Sequence, residues 1–226
     1  MLSELLAWLG DSAHWTGPSG VPIRVLEHLY YTVITVLLAS VIAVPLGLVI
    51  GHTNRGGIVL VGAANAMRAL PTLGLVTFLF LLVPNPRVST IIALVMLAVP
   101  PILAGTYAGV QSVERDVVDA ARGMGMTPWQ QLVQVELPGS LPLLLGGVRN
   151  AVLQVVATAA VAAYVGLGGL GRLLLDGLRV VDYAQMLAAA LLTALLAVLL
   201  DLVLGRVQRL VVPTGLRLAA GAAGRT

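Results

Sequence analysis

The sequence predicts an all-α integral membrane protein with about five transmembrane helices, six being allowed. Of its 226 residues, 58% are hydrophobic and only 10% charged, against roughly 25% charged in an average soluble domain. The apolar residues gather into runs long enough to cross a hydrocarbon core of about 30 Å. One polar stretch, 114–138, interrupts them in mid-chain and holds four of the ten carboxylates, two arginines and three glutamines. A bilayer core does not tolerate that charge density, so the stretch must lie in water between two spans.

Residues 1–25 lack the form of a signal peptide, because Glu4 stands where a basic segment belongs and no long apolar core follows. Leu2, Leu5, Leu6 and Leu9 fall at helical spacing with Trp8 and Trp15 nearby, which predicts a short helix on the membrane interface. The first span is expected at 29–50. His28, Thr32 and Thr35 form one polar stripe at its start, suited to hydrogen bonding a neighbouring helix or to lining a pathway.

The second span, 58–83, is interrupted by Asn65, Arg68, Pro71 and Gly74. An arginine in mid-membrane costs roughly 2.5–3.5 kcal/mol on insertion scales, so Arg68 should face protein or water, or snorkel to an interface if the segment is really two shorter ones. The third span covers 89–111, and its Pro100-Pro101 pair predicts a kink or break. The fourth covers 141–165. There Asn150, Gln154 and Thr158 recur every fourth residue and share one face, suited equally to interhelical hydrogen bonds and to a translocation path. The fifth covers 184–204, followed by a tail, 209–226.

Between the fourth and fifth spans, Gly166 to Gly171 matches GxGxxG. A dinucleotide site needs a strand before that motif, and here a membrane helix precedes it, so the glycines predict a tight turn into a short amphipathic helix, 170–178. The chain has no cysteine, and all thirteen basic residues are arginine. Without lysine there is no P-loop, so the chain is not its own ATPase. No catalytic residue and no metal site is expected. A net charge of +3 this thinly spread suits a protein anchored in lipid rather than one binding nucleic acid.

The polar stretch has a readable local grammar. Asp116 to Arg122 favours a short helix, and Gly123 and Gly125 supply its end and a bend. Thr127 then reads as an N-cap, Pro128 as a first-turn residue and Gln130 as the partner in a capping box. This second helix is expected to run to about Val135 and to stop at Pro138. Composition alone equally allows an ordinary cytoplasmic loop. The arginine distribution puts seven on the side of this stretch (Arg55, Arg115, Arg122, Arg206, Arg209, Arg217, Arg225) and four on the other (Arg24, Arg87, Arg172, Arg179). That favours an N-terminus outside and a C-terminus inside.

Asp119-Ala120-Ala121, then Gly125, then Val135-x-Leu137-Pro138 resembles the EAA loop of ABC-importer permeases, with Asp for Glu and Val for Ile. The likeness extends to Met67–Leu75, which includes Pro71, to 100–110 with Tyr107, to 120–126 with Gly123 and Met126, and to 163–171 with Tyr164. These stretches are similar to the osmoprotectant permeases, which import glycine betaine, choline, carnitine and related quaternary amines. The resemblance implies a type I ABC-importer permease fold, with a permease domain at 26–208 and a coupling loop at 112–140. That loop would dock on a separate ATPase subunit through Asp119, Ala120, Ala121, Gly123, Gly125, Met126, Thr127, Pro128, Gln130, Leu137 and Pro138. Asn65, Arg68, Pro71, Tyr107, Asn150, Gln154, Thr158 and Tyr164 are candidates for the path or a subunit interface.

Expected partners are ABC ATPase subunits, which hold the ATP and Mg, a second permease subunit in a homodimer or heterodimer, an extracytoplasmic substrate-binding protein, and membrane lipid. No cofactor is expected in this chain, and the expected location is the cell membrane. A permease for another small solute such as an amino acid, and an ATP-independent secondary carrier, are the alternative readings. The second leaves the spacing of the 119–138 pattern without a reason.

Overall fold

The computed structural model describes residues 1–213, without the side chains of Ile58, Leu60, Val61, Asn65 and Arg68. The expected tail from 214 on, with Arg217 and Arg225, therefore falls outside the described residues. The described chain is helical throughout: α1 (Leu2–Gly10), α2 (Val21–Thr53), α3 (Gly57–Ala69), α4 (Thr72–Leu82), α5 (Pro86–Gln111), α6 (Arg115–Gly123), α7 (Pro128–Gln131), α8 (Leu137–Thr158), α9 (Leu170–Val180) and α10 (Tyr183–Val211).

Four helical runs among the described residues are long and apolar enough to cross a membrane: Val21–Thr53, Pro86–Gln111, Pro128–Val165 and Tyr183–Val211. The interrupted second span is two shorter helices, α3 and α4, with Pro71 as the N-cap of α4. Along α2, Leu26, Tyr30, Val33, Leu37 and Val41 are each more than half exposed at spacings of three and four. A continuous apolar stripe of that kind suits hydrocarbon or another helix as its neighbour.

Two expectations about proline change. Of the kink or break expected at Pro100-Pro101, the break does not occur, since α5 runs on through both. In hydrocarbon an opened backbone costs more than one missing bond, and both proline rings are buried in the packing around α5. Pro138 does not stop the helix that starts at Pro128 either. A π-helical turn, Leu132–Glu136, leads straight into α8, and the Leu137 N–H bonds the Leu132 carbonyl five residues back. The widened turn makes room for the proline ring that follows it. The fourth span likewise changes winding at its far end, where Ala159–Val165 tightens to a 3₁₀ helix.

The chain divides into two compact units, one of 1–38, 68–98 and 152–201, the other of 39–67, 99–151 and 202 onward. In the first, Leu5 and Trp8 of α1 pack with Val21 and Ala188, and the Trp8 ring stacks on His14 at 4.1 Å. The expected polar stripe is buried. His28 makes the interhelical bond, its Nε2 lying 3.0 Å from the Val156 carbonyl, whereas Thr32 donates to the His28 carbonyl of its own helix. The GxGxxG stretch is the turn into α9. The Glu27 carboxylate accepts the Gly169 N–H at 2.7 Å and pairs with Arg24 at 2.9 Å. A Cβ on Gly168 would run into that carboxylate.

In the second unit α5 and α8 meet backbone to backbone. A Cβ on Gly147 would lie 2.6 Å from the Pro101 carbonyl oxygen, and one on Gly105 would lie 2.7 Å from the Gly147 Cα. Gly109 approaches Ser140 in the same way. Gln208 of α10 donates to the Pro142 carbonyl at 2.9 Å, which ties α10 to the same pair.

Candidate functional site

The 119–138 pattern folds into a compact knob, and its spacing has a physical reading. Helix α6 ends in a Schellman motif: the Met126 N–H bonds the Ala121 carbonyl at 3.2 Å and the Gly125 N–H bonds the Arg122 carbonyl at 3.0 Å. Gly125 occupies the left-handed position that closes this motif, with φ +85°. The four-residue step from Ala121 to Gly125 is thus the step from the first bonded carbonyl to the residue that must turn left. Ala121 is buried, while Asp119, Ala120 and Gly123 face outward.

Helix α7 starts at Pro128, three residues after Gly125, with the capping box in place. Gln130 N–H donates to Thr127 Oγ1 at 3.3 Å, and Thr127 N–H donates to Gln130 Oε1 at 2.8 Å. Pro128 is in the first turn. Removing the cap with Thr127→Ala should cost about 1 kcal/mol locally and speed amide exchange in α7 about fivefold, measured by hydrogen exchange. Unchanged exchange would show that tertiary contacts, not the cap, hold this turn.

Sequence reasoning missed four features of the knob. Gln131 is buried and its Nε2 donates to the Met126 carbonyl at 2.8 Å, pinning the turn from inside. Met124 and Trp129 are 77% and 72% exposed, so the knob displays two large apolar side chains. Beneath it, Glu136 is buried and its Oε2 lies 2.6 Å from His52 Nδ1 at the end of α2. Beside that pair is a polar cavity of about 310 Å³, to which Asn54, Gln111, Arg115 and Arg122 also contribute. A lone charge at position 136 inside the apolar Val135-x-Leu137 step was the one signal in the sequence. Its partner lies 84 residues away.

Leu137 and Pro138 are half-buried where the π turn meets α8, and Met126 is half-buried against the knob. The path candidates are more scattered. Asn150 is exposed, and Gln154 and Thr158 are half-buried, with the Thr158 hydroxyl bonded to the Gln154 carbonyl at 2.8 Å. Pro71 and Tyr164 are exposed, and Tyr107 is half-buried with its hydroxyl close over Gly57. The side chains of Asn65 and Arg68 lie outside the described residues. No group of three His, Asp or Glu side chains among the described residues could hold a metal ion.

Comparison with known proteins gives one direction. The chain is 34% identical over 191 residues to the Bacillus subtilis glycine betaine/carnitine/choline transport system permease protein OpuCB, covering 84% of this chain and 88% of that one. It is 36% identical over 196 residues to the Salmonella typhimurium osmoprotectant import permease protein OsmW, covering 84% and 91%. In fold it is similar to the MetNI methionine ABC transporter in an inward-facing form, with a TM-score of 0.74 at 24% identity, over 85% of this chain and 97% of that one. That likeness shows the type I ABC-importer permease fold. Residues 43–214 match the family described as binding-protein-dependent transport system inner membrane component, and to that family of transporter permease subunits the chain belongs.

Proposed function

We propose that the chain is the membrane permease subunit of an ABC importer for a quaternary-amine osmoprotectant such as glycine betaine, choline or carnitine. The observation that carries this reading is likeness along most of the chain to permeases named for those solutes, OpuCB and the choline permease OpuBB among them, at 34% and 32% identity. ATP and Mg belong on separate ATPase subunits, and solute arrives from an extracytoplasmic binding protein. Two permease subunits pair in the cell membrane, N-terminus outside, with the Asp119–Pro138 knob in the cytoplasm.

The knob supports the ATPase-docking role in physical terms. Two capped turns locked by hydrogen bonds make a rigid body, and exposed Met124 and Trp129 suit an apolar groove on a partner. ATP binding shifts the permease only by favouring one of its states, and contacts at a rigid knob supply such a difference. Asn150, Gln154, Thr158, Tyr107 and Arg68 are assigned to the path or to the contact between permease subunits.

The test is reconstitution in liposomes with an ABC ATPase and an extracytoplasmic binding protein that co-purify with the chain. Labelled glycine betaine, choline or carnitine should enter only when ATP and the binding protein are both present. Entry without ATP would overturn the importer reading. ATP-driven entry of an amino acid, with none of the quaternary amines carried, would overturn the substrate.

A further inference from the structure

We propose that His52 and Glu136 form the joint through which movement of the knob reaches the first span, a positioning pair for coupling. The inference rests on the reading of the knob as the ATPase-docking element. A carboxylate only accepts hydrogen bonds, so His52 Nδ1 carries the hydrogen and donates it to Glu136 Oε2 across 2.6 Å. The side chains are 21% and 8% exposed, so the contact is shielded from water on the glutamate side.

Its place in the chain gives it a mechanical consequence. Between the capped turn of α7 and the start of α8 stand only the five residues of the π turn, Leu132–Glu136. A π turn is wider than an α-helical one and interrupts the regular hydrogen-bond ladder between the knob and α8. Left to itself it would bend when the knob is pushed, and the push would be lost there. Glu136 is the last residue of that turn, and its bond to His52 fastens the interrupted stretch to the final turn of α2.

The same turn of α2 is held from a second direction. Gln111 Nε2, at the end of α5, donates to the Gly51 carbonyl at 2.8 Å. Val110 packs so closely on Gly51 that an added Cβ would lie 2.7 Å from its own Cβ. The end of α2 is therefore clamped to α5 and to the π turn at once. The Gln111 bond reaches α2 from the entry side of the knob, with three residues between it and α6, and the His52–Glu136 bond reaches it from the exit side, where the π turn leads from α7 into α8.

The test uses the full importer complex in liposomes, with labelled-solute uptake and binding-protein-stimulated ATP hydrolysis read from the same vesicles. His52→Ala and Glu136→Ala should each cut solute carried per ATP about tenfold or more, a coupling loss of ordinary allosteric size. Hydrolysis should stay within about twofold, and the double variant should be no worse than the poorer single one, since both remove the same bond. Glu136→Gln keeps an oxygen that accepts from Nδ1–H and should return the ratio to within about threefold of wild type. Should an alanine variant fail to insert, Glu136→Met, which keeps the bulk and loses the acceptor, is read in the same way. Uptake and hydrolysis falling in proportion, additive losses, or an unchanged ratio would each overturn the joint. Wild-type uptake indifferent to ATP would instead overturn the parent reading, so the two failures are separable.

Discussion

Ala121→Phe and Gly125→Val are expected to bring ATP-driven uptake to background while the protein still inserts in the membrane. The two substitutions act by different routes on one turn. Ala121 is 3% exposed and supplies the carbonyl that closes the end of α6, so a phenyl ring there must displace its neighbours and turn α6 away from α7. Gly125 has open space around it, with nothing within 4 Å of an added Cβ. Its constraint is the backbone: at φ +85° an L side chain is disfavoured by roughly 1–2 kcal/mol, and a β-branched one by more. The easiest escape is to abandon the left-handed turn, which redirects Thr127 and the whole of α7. The measurement is uptake normalised to inserted protein, with substrate-stimulated ATP hydrolysis beside it. Normal values of both in either variant would remove the coupling assignment from this turn.

The second large effect belongs to the fold. Gly147→Val should deplete folded protein and lower the detergent unfolding temperature by about 5–10 °C, in line with an overpacking cost of roughly 3 kcal/mol. The added carbons would meet the Pro101 carbonyl and the Gly105 backbone, neither of which can rotate aside as a side chain would. Relief requires α5 and α8 to separate along the contact that includes Gly109 and Ser140. Gly146, one residue earlier on α8, has no heavy atom within 4 Å of an added Cβ, so Gly146→Ala should change stability by no more than about 0.5 kcal/mol. Equal behaviour of the two variants would show that the backbone contact does not limit stability.

What is legible in the sequence is what local rules govern. The capping box at Thr127 and Gln130, the turn at Gly125, the break at Pro71 and the helix after Gly169 each depend on neighbours within five residues, and each is present. Pro138 departs from expectation, and Pro100 and Pro101 do not break their helix, because the cost of a missing donor in water is the wrong measure for them. In a membrane helix the alternatives are worse, and a π turn or close packing absorbs the ring. Partners distant in the chain leave no mark. Nothing about His52 marks it as the partner of Glu136, nor does Glu27 announce that it will hold the Gly169 amide. The polar stretch is recognisable as a unit, but the elements it is fastened to emerge only from the fold.

The exposure of Trp129 gives the protein a built-in optical reporter. The two other indoles, Trp8 and Trp15, lie at the N-terminal segment, Trp8 buried and stacked on His14 and Trp15 donating to the Leu9 carbonyl. Trp129 alone stands on the knob, 72% open to solvent, and the emission of an indole shifts to the blue as water leaves it. A partner that closed over the knob would therefore be legible in the intrinsic fluorescence of the unmodified chain, with no dye and no introduced cysteine.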